Sequence, residues 1–104
     1  MRKDLNGQDV EVDAEGYLLN PDDWNGDMAK VIAAELNIPL PDGDKRWQVI
    51  DWLRQQHYAG VELNIRKVGT SGVVDIKEFY QLFPGGPLKN ASKIAGLKKP
   101  TSCL

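Results

Sequence analysis

A thiol and the two amines just before it are the most reactive grouping in this sequence. Cys103, the sole cysteine among 104 residues, is the next-to-last residue, and Lys98, Lys99 and Pro100 precede it closely. Cysteine is usually buried, whereas the last residues of a chain pack poorly, so a cysteine here gains access rather than packing energy. Fully extended from Gly96, the chain carries the sulfur roughly 20 to 25 Å from its anchor at about 3.3 Å per residue. Pro100 stiffens the approach. The two lysines favour the thiolate, the form that attacks sulfur, accepts it or passes it on, although water and salt screen exposed charges. The alternative is a bystander on a frayed tail.

No second grouping completes an active site by itself. The sequence has no Walker A motif, no Gly-x-Gly-x-x-Gly, no Gly-x-Ser-x-Gly and no metal-spaced set of Cys and His. The adjacent Asp22 and Asp23 fall at a helix start, where acids answer the dipole. His57, the single histidine, has no nearby cysteine or second histidine and reads as a helix-surface or partly buried residue rather than a ligand. The expectation is therefore no cofactor and no metal. A protein co-substrate fits this inventory better than an independent enzyme, because a partner can supply the base, the pocket and the acceptor.

The elements that must position the thiol are mostly helical. Residues 8–19 alternate apolar and acidic, predicting a hairpin with Val10 and Val12 on one face, residues 13–16 as the turn and 17–19 returning. Asn20-Pro21-Asp22-Asp23 opens a helix expected to run to about Asn37, with Trp24, Met28, Val31, Ile32 and Leu36 as its apolar stripe. Prolines 39 and 41 with Gly43 break it. Asp44 caps a second helix ending near Gly60, in which Trp47, Ile50, Leu53 and His57 share a face. Residues 62–68 predict a third. Asp75 and Glu78 have capping-box spacing ahead of a fourth, whose Ile76, Phe79, Tyr80 and Phe83 form an i, i+3, i+4, i+7 stripe. Pro87 opens a fifth helix carrying Leu88, Ala91, Ile94 and Ala95, and Gly96 closes it. Trp24, Trp47 and Trp52 read as core or near-core residues.

The expected fold is thus mainly α: a small orthogonal bundle of about five helices with an N-terminal β-hairpin. It forms one domain over residues 1–96, with a flexible arm over 97–104. No run of eighteen apolar residues and no signal segment is present, and one cysteine suits a reducing compartment, which predicts a cytoplasmic protein without a membrane partner. The net charge of −2 divides unevenly: residues 1–78 hold nine Lys and Arg against fifteen Asp and Glu, while residues 79–104 hold Lys89, Lys93, Lys98 and Lys99 and no acid. A solvated basic tail is one reading of this asymmetry. Steering of the arm toward an acidic partner groove is the other. Helices 62–68 and 75–83 also resemble a helix-turn-helix. Lys77 and Gln81 beside Asp75 and Glu78 give the second helix too little positive charge for phosphate contacts, which weighs against DNA.

The C-terminal segment resembles the DsrC/TusE sulfur-carrier family in Gly86-Pro87, Lys93-Ile94-Ala95-Gly96-Leu97, Lys99-Pro100-Thr101 and Cys103. The likeness extends through Glu15-Gly16-Tyr17-Leu18, Asp23-Trp24, Trp47 with Val49-Ile50, and Leu53-Arg54. The resemblance implies that Cys103 carries sulfur as a persulfide between a sulfur-donor and a sulfur-acceptor protein: a sulfurtransferase complex, a tRNA thiolase, or dissimilatory sulfite reductase. It also implies partner contacts at Lys93, Lys98, Lys99, Pro100 and Arg66. Members that act with sulfite reductase have a second cysteine eleven residues before the penultimate one, and that position is Ser92 here. The single-cysteine pattern looks more like the branch that relays sulfur toward tRNA 2-thiouridine, although a two-cysteine chain with serine substituted at 92 reads identically. The stretch between Arg66 and Phe83 is shorter than is usual in the family.

Overall fold

Asn6 and Gly7 take φ values of 54° and 82°, the pair of left-handed residues that a two-residue type I′ turn requires. They join β1 (Arg2–Leu5) to β2 (Gln8–Glu11) in an antiparallel ribbon that pairs Lys3 with Val10 and Leu5 with Gln8. The hairpin therefore lies earlier than residues 8–19. Its outward positions are so polar that Leu5 and Val10 alone mark the inward face, and only the Asn-Gly pair signals the turn. Residues 13–16 do form a turn, held by the Asp13 carboxylate, which accepts from the Glu15 and Tyr17 amides at 2.9 and 3.0 Å. The chain returns there through one bridge, Val12 to Leu18, rather than a strand.

The computed structural model describes residues 1–101; Ser102, Cys103 and Leu104 lie outside the described residues. Five helices follow the hairpin: α1 (Gly26–Glu35), α2 (Lys45–Tyr58), α3 (Ile65–Gly69), α4 (Ile76–Leu82) and α5 (Pro87–Ile94). The expected first helix is in fact two elements. Asn20 caps a short 3-10 turn over Pro21–Asp23, the chain extends at Trp24, and Asn25 starts α1 by accepting from the Met28 amide at 2.9 Å. Two capping asparagines five residues apart favour two starts over one. The third helix likewise begins later than residue 62, because the Asn64 side chain takes the Lys67 amide at 2.8 Å. Asp44 and Asp75 cap α2 and α4 as their positions predict. Glu78 does not close the capping box; its carboxylate pairs with Lys45 at 2.7 Å and ties α4 to α2.

The core joins Leu5, Val10, Val12 and Leu18 to Met28 and Ile32 of α1, Val49, Ile50 and Leu53 of α2, and Phe79 and Phe83 at 5.7 Å edge to face. On α4 the expected stripe is only half used. Phe79 and Phe83 are fully buried, whereas Ile76 and Tyr80 are 45% and 48% exposed, because the short helix meets the body along one narrow line. Through the middle runs α5, packed on α1, α2 and α4 with Leu88, Ala91 and Ile94 inside. That makes its C-terminal end a firm origin for whatever follows.

Candidate functional site

A Schellman turn ends α5. Gly96 adopts φ 71°, its amide donates to the Lys93 carbonyl at 3.2 Å, and the Leu97 amide donates to the Ser92 carbonyl at 3.0 Å. A glycine is needed here twice over: the backbone is left-handed, and a Cβ would collide with the Trp24 ring. Trp24 donates its indole N–H to the Ile94 carbonyl at 2.8 Å. Arg54 then lies over the Trp24 ring at 4.2 Å and donates to the Ala95 and Pro21 carbonyls at 2.8 and 3.1 Å. Tyr58, hydrogen-bonded to Asp22, also faces Arg54, and the Asp22 carboxylate holds its phenol above the usual tyrosine range. The root of the C-terminal segment is thus clamped by three aromatic or cationic side chains.

From this root, residues 97–101 run along the body. Leu97 is buried, Lys99 pairs with Glu15 at 2.7 Å, and the Thr101 hydroxyl donates to the Glu62 carboxylate at 3.1 Å. Together with Ser92, His57 and residues 61–63, the segment lines a cleft of about 280 Å³. Cys103 itself lies outside the described residues. Its backbone is two residues past Thr101, within about 7 Å of chain.

Of the residues expected to form the site, Ser92, Lys98, Lys99 and Pro100 line this one cleft. Lys93 does not. Its ammonium sits 5.6 Å above the Tyr17 ring, against Gly16, and Tyr17 in turn donates to the Lys89 carbonyl, so Lys93 braces α5 on the 13–16 turn. Arg66 is exposed on α3 and stands apart from the cleft. Sequence reasoning left four participants without a role there: Glu15, Arg54, His57 and Glu62. Arg54 alone had a local signal, a cation four residues after Ile50 in the apolar stripe of α2. Among the described residues, no group of three His, Cys, Asp or Glu side chains could hold a metal ion, and no helix is long and apolar enough to cross a membrane.

The DsrC-like protein family model matches residues 4–104. The chain belongs to the DsrC-like family. It is 37% identical over 108 residues to a sulfurtransferase TusE homolog of Haemophilus influenzae, covering 96% of this chain and 97% of that one. It is 38% identical over 102 residues to the gamma subunit of the dissimilatory-type sulfite reductase of Nitratidesulfovibrio vulgaris, covering 94% and 93%. In three dimensions it superposes on a chain of the crystal structure of dissimilatory sulfite reductase I with a TM-score of 0.86, 33% identity and full coverage of both. The five helices and hairpin are those of the DsrC fold.

Proposed function

We propose that this chain is a sulfur carrier that accepts and passes on sulfur as a persulfide on Cys103, and that it serves a relay such as tRNA 2-thiouridine synthesis. The observation that carries this reading is the clamp at Gly96: a rigid origin from which a short basic segment delivers the single thiol of the chain. In the transfer, the Cys103 thiolate attacks the outer sulfur of a donor persulfide, R–S–SH. The donor S–S bond breaks, R–S⁻ leaves, and Cys103–S–SH remains. Passing the sulfur on repeats the step with Cys103–S–SH as the donor.

Lys98 and Lys99 give the segment the charge to approach an acidic groove on a donor or acceptor protein. An exposed pair such as Lys99 with Glu15 is weak enough to exchange for a partner's carboxylate. Incubation with a persulfide donor should add one sulfur atom at Cys103, read by mass spectrometry. Cys103→Ser should abolish the gain without lowering thermal stability, and an unmodified mass in the parent protein would overturn the reading.

A second reading is a partner of dissimilatory sulfite reductase, supported by the likeness to the gamma subunit. Ser92 favours the one-cysteine relay over it, because this chain lacks the second thiol that the resemblance assigns to sulfite reductase partners. The α3–α4 pair offers little support for a DNA role, since the exposed face of α4 shows Ile76 and Tyr80 beside Lys77.

A further inference from the structure

We propose that α3 and α4 carry a second docking surface, separate from the cleft, for an acidic segment of a partner protein that also presents apolar side chains. Such a surface is independent of the sulfur-carrier reading and uses no residue of the C-terminal segment. Residues 1–78 hold nine Lys and Arg amid fifteen Asp and Glu, so carboxylates are abundant. Arg2, Lys3, Lys30, Lys45 and Arg46 each pair with one within 3.0 Å, and Arg54 is taken up by the Ala95 and Pro21 carbonyls. The three of the nine left without a carboxylate among the described residues are Arg66, Lys67 and Lys77, all exposed and all on these two helices. Lys67 reaches only the Glu62 carbonyl, at 2.7 Å.

The same face carries an apolar centre. Ile76 and Tyr80 are 45% and 48% exposed, and their i, i+4 spacing sets them side by side on α4. The Ile76 side chain lies across Gly69, where a Cβ would collide with it, so it bridges α4 to α3. Arg66 stands one turn before Gly69 and Lys77 one turn before Tyr80, which puts both cations at the edge of the apolar pair. The acids of α4 are engaged elsewhere: Asp75 accepts from the Glu78 amide at 2.7 Å, and Glu78 pairs with Lys45 of α2. An apolar centre with a cationic rim is complementary to an acidic amphipathic segment. A nucleic-acid backbone calls for a denser row of cations and has no use for the apolar pair. The C-terminal segment of this chain, basic and without an acid, has the wrong charge to be the occupant.

Nuclear magnetic resonance titration of the isotope-labelled full chain tests this, with a synthetic helical peptide bearing leucine on one face and glutamate on the other, and with its lysine-for-glutamate counterpart. The acidic peptide should shift the amides of Arg66, Lys67, Ile76, Lys77 and Tyr80, leave those of residues 97–101 in place, and bind several-fold more weakly in added salt. The double variant Arg66→Glu, Lys77→Glu should bind the acidic peptide several-fold more weakly and the basic one more tightly. Tyr80→Ser should weaken the acidic peptide without reversing the preferred sign. Neither variant should lower the melting temperature appreciably, since all three side chains are exposed. No shift with either peptide, equal binding of the two, or shifts centred on the cleft overturns the docking surface. So does tighter binding of a DNA duplex at the same amides, or a dimer in sedimentation that Tyr80→Ser dissolves, which would give the face to nucleic acid or to a second copy of the chain. Sulfur uptake at Cys103 is untouched by any of these results.

Discussion

Gly96 decides where the thiol-bearing segment points. At φ 71°, with Trp24 filling the space a Cβ would need, an alanine there suffers backbone strain and a steric collision together. Gly96→Ala should cost about 2 kcal/mol, the middle of the overpacking range, and lower the melting temperature by about 10 °C in thermal unfolding followed by circular dichroism. A loss near zero would mean that Trp24 yields without resistance. Ser92→Cys probes the same region: oxidised with diamide, it should lose two hydrogens without dimerising, because the cleft that Ser92 lines is also lined by Thr101. Purely intermolecular dimers would show that Cys103 cannot reach back. Ser92 was marked only by the family resemblance, whereas sequence position revealed Cys103 and Gly96, which stand in a local pattern of helix, turn and following lysines. It could not reveal Glu15 or Glu62, whose contacts with Lys99 and Thr101 join positions 84 and 39 residues apart and exist only after folding.

Several helix ends were legible in the sequence, though not the start of α3, which Asn64 caps two residues later than expected. Asp44, Asp75, Pro87 and Gly96 stand where their chemistry places them, whereas the start of α1 depended on a choice between Asn20 and Asn25 that both sites satisfy. The hairpin was misplaced because its inward face holds so few apolar residues. Asp44 offers the cleanest test of an element, because it caps the Arg46 amide at 2.9 Å and also grips the Arg46 guanidinium, which itself donates to the Leu82 carbonyl. Asp44→Ala should cost about 1 kcal/mol near neutral pH. The backbone hydrogen bond from Arg46, followed by its side chain, holds the Asp44 carboxyl below the usual range. A lowered folded pKa stabilises the protein above the ordinary carboxylate value of about 4 and loses that contribution as pH falls through the folded one. Urea unfolding of parent and variant should therefore differ most above about pH 5 and converge toward pH 2.

On the scale of the whole molecule, a basic segment lies across an acidic body, and two carboxylates from distant parts of the chain hold it. Glu15 sits in the 13–16 turn that also receives Lys93, and Glu62 sits in the loop between α2 and α3, so the two contacts tie residues 97–101 to two parts of the chain far apart in sequence. Each is exposed and worth at most about 1 kcal/mol, enough to favour the seated position and little enough to be exchanged. The double variant Glu15→Gln, Glu62→Gln should leave global unfolding within about 1 kcal/mol of the parent, since neither side chain belongs to the core. It should lower NMR order parameters at the amides of Lys99 and Thr101 while those of Val49 and Ile50 stay rigid. Added salt should act on the parent in the same direction by screening the Lys99–Glu15 pair. Unchanged order parameters in the double variant would show that contacts other than those with Glu15 and Glu62, buried Leu97 among them, seat the segment, and release to a partner would then require more than exchanging two surface contacts.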